Sequence, residues 1–139
     1  MVNGLCVQVH PALVALAIAA IVAALSADPA TAIGSEKKSS NPFSGDSQAI
    51  EEGKGIFRGG FCANCHGMSA NGHGRGAPNA ANLQKFKRGY TAFVHTVKNG
   101  YKTMPAWGGG PHLTDEQISK IGAWLETLAT PEADWKDPQ

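Results

Sequence analysis

The stretch FCANCHGM, Phe61 to Met68, decides how the rest of the chain folds. Cys62 and Cys65 stand three residues apart, a spacing that puts both sulfurs on one face of a helical turn. His66 follows the second thiol directly. Such a group can hold zinc, cycle as a redox dithiol, or carry a covalently attached haem. Each chemistry demands different surroundings, so the choice rests on what lies outside these eight residues.

A zinc site needs four protein ligands, or three and a water. The chain has no second C-x-x-C or H-x-x-x-H cluster, and His73, His95 and His112 stand alone. A thioredoxin-like dithiol belongs in a βαβ unit, and no alternating strand pattern appears. The third cysteine, Cys6, precedes a long apolar block and completes neither set. C-x-x-C-H is the signature of c-type haem attachment, in which two thioethers fix the porphyrin and the adjacent histidine ligates the iron. The expected cofactor is therefore one haem c, bound through Cys62 and Cys65 with His66 on the iron.

Upstream, ALVALAIAAIVAAL, Ala12 to Leu25, has the length of a secretory signal core and is followed by small-x-small residues. Residues 1–32 read as a signal peptide cut after Ala32, with Ala27 as the alternative site. Val7 to Leu25 could instead remain as a membrane anchor, although no Lys or Arg precedes the block. Either way the remaining chain sits outside the cytoplasm, in the periplasm. Nucleic acid is excluded as a partner, and after signal removal no membrane contact is expected. Residues 33–41 read as a flexible linker, 42–130 as the folded domain, and 131–139 as a polar tail.

The domain reads as all-α. Ser44 or Asp46 caps a first helix that carries Ile50, Gly53 and Phe57 at helical spacing. Gly53 on the inner face implies close approach of another helix, since glycine there costs about 1 kcal/mol relative to alanine. A further helix runs from about Tyr90 to Lys98, with Phe93, Val94 and Val97 inward and Asn99-Gly100 as the stop. LTDEQISKIGAWLETLA is the clearest: Thr114 and Gln117 form a capping box, and Ile118, Ile121, Leu125 and Leu128 make one apolar stripe. Six of the eighteen residues from Gly59 to Gly76 are glycine. Such a loop in a small domain is either disordered or wrapped around something, and a large cofactor supplies the missing core volume.

The second axial ligand separates an electron carrier from a protein with an open, reactive iron. Met68 is only two residues from His66 and cannot cross the ring. Met104, in Lys102-Thr103-Met104-Pro105-Ala106-Trp107, follows a helix stop and precedes a proline that holds it extended. Met104 is the expected ligand, with His95 or His112 as alternatives.

With these residues in view, Gly45 to Ala129 resembles the class I cytochromes c. The resemblance implies a small cytochrome c fold, three to four short helices around one covalently bound haem, with the first and last helices crossing at Gly53 and the Trp124 face. It also implies that the Pro78 carbonyl orients His66. Asn41-Pro42-Phe43-Ser44-Gly45-Asp46 and Met104-Pro105-Ala106-Trp107-Gly108-Gly109 are similar to segments of periplasmic cytochromes that accept electrons from pyrroloquinoline-quinone alcohol dehydrogenases, methanol dehydrogenases included. Apart from that subgroup, Trp107 is expected simply to cover the haem.

Charge is unevenly distributed. The formal net charge is +1, yet from Gly53 to Thr114 there are eight Lys and Arg residues and no carboxylate. Arg75 is the cation assigned to a haem propionate. Asp115 to Gln139 carries six acids against Lys120 and Lys136. The resulting dipole suits steering an acidic redox partner to the haem-bearing half. The expected function is a monomeric, non-enzymatic electron carrier between an acidic quinoprotein dehydrogenase and an oxidase or another cytochrome. A haem sensor or peroxide-active enzyme, and a haem subunit docked in a larger redox complex, are the alternatives.

Overall fold

The computed structural model describes residues 39–139, so the expected signal peptide and most of the expected linker lie outside the described residues. Four helices follow one another: α1, Ser47–Gly59; α2, Cys62–His66; α3, Tyr90–Asn99; and α4, Asp115–Thr127. Two short 3-10 turns, Leu83–Lys85 and Ala106–Gly109, flank α3. Among the described residues there is no strand beyond one isolated bridge between Tyr101 and Met104, and the fold is all-α.

Local chemistry sets each helix end. Of the two expected caps for α1, Asp46 does the work, accepting from the Ala49 N–H at 2.9 Å. The Ser44 hydroxyl turns away to Glu126. Thr114 and Gln117 close both arms of the capping box on α4, at 3.2 and 2.9 Å. Asp115 and Glu116 lie in the first turn of α4, where the helix dipole favours negative charge.

α1 packs on α4 through the position the sequence singled out. A Cβ added at Gly53 would overlap the Lys120 carbonyl, so only glycine lets the two backbones meet there. One turn on, Phe57 packs against Trp124 with ring centroids 4.9 Å apart. With Ile118, Ile121 and Leu125 they form the centre of the core, each no more than 3% exposed. At the rim of this crossing the Lys120 ammonium reaches Glu116 at 2.6 Å and Glu52 at 2.7 Å. The two carboxylates, Glu116 first, push the Lys120 pKa up, and Lys120 in turn holds Glu52 below its usual range.

Two boundaries expected from the sequence move outward. Residues 131–139 are not a loose tail. Trp135 is buried, 4.9 Å from the Phe86 ring and 5.2 Å from Phe93. Backbone bonds from Gly89 to Asp134 and from Tyr90 to Trp135 tie the segment to the start of α3. Apolar burial contributes, since a large indole stabilises by about 2 kcal/mol when removed from water, and the backbone bonds to α3 act with it. At the other end, Asn41 is buried and donates to the Ser119 carbonyl at 3.0 Å. Ser39 and Ser40 bond to Glu126 and Asp137. The last residues of the expected linker are therefore part of the folded body.

Candidate functional site

α2 is only five residues long, CANCH, and an isolated helix of that length does not hold together in water. Its end carbonyls are orphans that need partners. Here glycines supply all of them. The N–H groups of Gly67, Gly76, Gly74 and Gly72 donate in turn to the carbonyls of Ala63, Asn64, Cys65 and His66, at 2.9, 2.8, 3.1 and 2.8 Å. Gly72, Gly74 and Gly76 do so at a spacing of two, as an extended segment laid across the helix end. A Cβ at Gly74 would overlap the backbone of Asn64 and Cys65, and one at Gly76 the Asn64 side chain. The glycine-rich loop is thus ordered by backbone contact with α2. The sequence carries a signal for this in the spacing Gly72-x-Gly74-x-Gly76, and of the two expectations for the loop, disordered or wrapped around something, the structure shows it wrapped over α2.

Cys62 and Cys65 are both free and half-buried on this turn. Burial pushes the Cys62 thiol pKa up, ahead of a smaller contribution from Cys65, so at neutral pH it stays protonated. His66 is buried, and its Nδ1 lies 2.9 Å from the Ala81 carbonyl. A carbonyl can only accept, so Nδ1 carries the proton and Nε2 keeps its lone pair for a metal.

That contact corrects the expectation for Pro78. Proline takes a corner of the turn closed by the Ala80 N–H on the Ala77 carbonyl, 3.1 Å, and is exposed. Fixed φ makes proline suited to such a corner. The loop runs three residues further before a carbonyl meets His66, and that carbonyl belongs to Ala81. Asn82 then caps the Leu83–Lys85 turn through the Gln84 N–H, 2.9 Å, and the Leu83 N–H returns to the Ala70 carbonyl, 2.8 Å.

Met104 lies across a tight turn. Its backbone exchanges two hydrogen bonds with Tyr101, each 2.9 Å. The side chain is half-buried against the core, as are Leu83, Phe86, Val94, Trp107 and Leu113. Gly108 and Gly110 bring the following turn against Phe61, the residue before Cys62. Within that turn Trp107 and Gly108 both take left-handed backbone, φ 56° and 65°. Trp107 stacks on His112 at 4.6 Å between centroids. His95 is exposed on α3, and Arg75 is exposed beside the glycine segment.

The residues fit a covalently attached haem. Two unpaired thiols share a helical turn, a buried imidazole is held with one nitrogen free, and a thioether stands among half-covered apolar side chains that need another surface to complete them. Fold and motif together define a class I c-type cytochrome. The family model described as "Cytochrome C oxidase, cbb3-type, subunit III" matches residues 48–125, more than half of the chain, and the chain belongs to that family. Among solved structures, the c-type cytochrome SorU from Sinorhizobium meliloti is 28% identical, covering 63% of this chain and 97% of that one at a TM-score of 0.44. A comparison with curated proteins finds no match. As a c-type cytochrome the chain takes haem c and serves electron transfer with redox protein partners.

Proposed function

We propose that the chain carries single electrons through one haem c, held by thioethers to Cys62 and Cys65, with His66 and Met104 as axial ligands. The observation that supports it best is the bracing of α2: every carbonyl from Ala63 to His66 has a backbone donor, and Nδ1 of His66 is fixed by Ala81. A carrier gains from ligands that stay in place in both oxidation states, and this frame supplies that. When bound, the haem provides a ferric–ferrous couple whose potential is raised by thioether ligation relative to two imidazoles. The chain's own part is to orient His66, hold Met104 by its Tyr101 turn, and keep water away with Trp107 and Leu113. Arg75 is assigned to a propionate.

In this reading residues 1–32 are removed on export, the folded domain works in the periplasm as a monomer, and no enzymatic step belongs to it. Among the described residues no helix is long and apolar enough to cross a membrane. The donor is an acidic quinoprotein alcohol or methanol dehydrogenase, and the acceptor an oxidase or another cytochrome. The support for that donor is the pair of short segments at Asn41–Asp46 and Met104–Gly109. The family's description favours a second reading, a haem subunit docked permanently in an oxidase. Co-purification with a partner at high salt separates the two.

Visible and near-infrared spectra of the holoprotein test the ligands. The expected result is a weak near-infrared sulfur-to-iron band in the ferric protein, lost in Met104→Ala, and no carbon monoxide binding at neutral pH. A band that survives Met104→Ala rules out Met104, and ready carbon monoxide binding to the unaltered protein favours an open-site enzyme or sensor.

A further inference from the structure

The eight cations between Gly53 and Thr114 are not equivalent in the fold. Lys54, Lys85 and Lys98 are neutralised by Glu51, Glu132 and Asp115. The other five, Arg58, Arg75, Lys87, Arg88 and Lys102, form no ion pair with a carboxylate among the described residues, and of these Arg88 and Lys102 both converge on Tyr101. The Arg88 guanidinium carbon lies 4.4 Å from the ring centroid and the Lys102 ammonium 5.4 Å. Tyr101 is 48% exposed, among the most exposed large apolar side chains described. Its backbone is the one bonded twice to Met104.

Lys102 takes a left-handed backbone, φ 54°, which an L-residue adopts at a cost. The Tyr101–Met104 hydrogen-bond pair encloses that corner and holds it. The outcome is a flat aromatic ring with two preoriented cations, presented to solvent from the same turn that carries Met104. Tyrosine and arginine are enriched at protein interfaces, tyrosine because it gives large contact area at low entropic cost and arginine because its planar guanidinium pairs with carboxylates. Charge without a local carboxylate both steers an acidic surface and fixes its register.

We propose that Arg88, Tyr101 and Lys102 form the docking surface for the acidic face of a redox protein, on the Met104 side of the molecule. The proposal rests on the carrier reading above and adds to it where the partner sits. The cations hold carboxylates of the partner at the rim, and Tyr101 supplies the contact at the centre. Such an interface is small and salt-sensitive, as short-lived redox encounters are.

The test uses reduced, 15N-labelled holoprotein titrated with poly-L-glutamate at low ionic strength. Amide shifts should centre on Arg88, Gly89 and Gly100 to Met104 and collapse on adding salt. The double substitution Arg88→Gln, Lys102→Gln should weaken binding about fivefold or more, as loss of two exposed charge contacts implies. Tyr101→Ala should weaken it further, and Lys54→Gln should leave it unchanged. Shifts centred elsewhere, or a double variant that binds as tightly as the parent, would overturn the proposal. So would a defect confined to phosphatidylglycerol vesicles, which would assign the surface to a membrane. Voltammetry on the same sample keeps the two readings apart. A missing reversible one-electron wave sinks the carrier reading, whereas an intact wave with an unresponsive Arg88–Lys102 surface sinks the docking surface alone.

Discussion

Two segments approach the site, and they are built in opposite ways. The segment from Phe61 to Leu83 is held by backbone: four glycine N–H groups on α2, the Ala81 carbonyl on His66, and the return of Leu83 to Ala70. The segment from Gly100 to His112 is held by short-range turns of its own, Tyr101 and Met104 exchanging two bonds and Gly108 and Gly110 donating to Pro105 and Trp107, and by side-chain packing; it has two left-handed L-residues, Lys102 and Trp107, where the first segment has one, Ala70. Hydrogen-bonded backbone resists displacement locally, while a strained turn stores free energy that any loosening releases. The histidine side is thus tied between residues distant in the chain, while the methionine side rests on its own turns and is expected to yield first.

Substituting glycine on each side gives the sharpest contrast. Gly74→Ala should destabilise the holoprotein by about 3 kcal/mol, because its Cβ must displace the backbone of Asn64 and Cys65. Guanidinium denaturation measures it, and the yield of attached haem should fall in parallel. Met104→Ala comes next, at about 2 kcal/mol for loss of a half-buried side chain. Its potential should drop while the C-x-x-C-H attachment stays intact. Gly108→Ala should cost only about 1 kcal/mol, the strain of φ 65° in an L-residue, since its Cβ meets nothing closer than Phe61 at 3.9 Å. If Gly108→Ala proved as damaging as Gly74→Ala, the difference between the two sides would disappear.

Smaller effects probe the edges of the comparison. Asp137 feels burial, which raises its pKa, but donors from Ser40 and Thr91 outweigh it and hold the carboxyl below its ordinary value of 3.8. A lowered folded-state pKa means the tether contributes fully above that value and is lost as pH falls below it. Trp135 fluorescence and exchange of the Thr91 amide should report loosening of the C-terminal segment in that acid range, and Asp137→Asn should show the same loosening at neutral pH. Pro78→Ala should change stability by no more than about 0.5 kcal/mol, as for an exposed turn residue, and leave the histidine's environment unaltered. A shift of the proximal-histidine resonance in Pro78→Ala would restore proline as the orienting residue.

The helices were legible because each carries its own signal: Thr114 with Gln117, the Ile118–Leu125 stripe, Gly53 for close approach, Asn99-Gly100 as a stop. Those are local patterns or single positions with one steric use. The order of the glycine loop was not legible, since which carbonyl a given N–H meets depends on how the chain folds back over α2. Ala81 could not be singled out for the same reason, because any residue presents a carbonyl. Trp135 carries no local signal because its neighbours are polar, and only Phe86 and Phe93, brought from elsewhere in the chain, make its burial favourable.

By itself the sequence determined the all-α class, the C-x-x-C-H spacing of Cys62, Cys65 and His66, and Met104 ahead of Met68 as the proposed second ligand. Side-chain chemistry and spacing along one chain suffice for those. Only the tertiary structure decided what holds His66 in place, which glycines brace its helix, and which cations stand beside Tyr101 without an ion pair among the described residues. These depend on contacts between residues far apart in the chain, and backbone groups, identical at every position, leave no mark in a sequence until the fold pairs them.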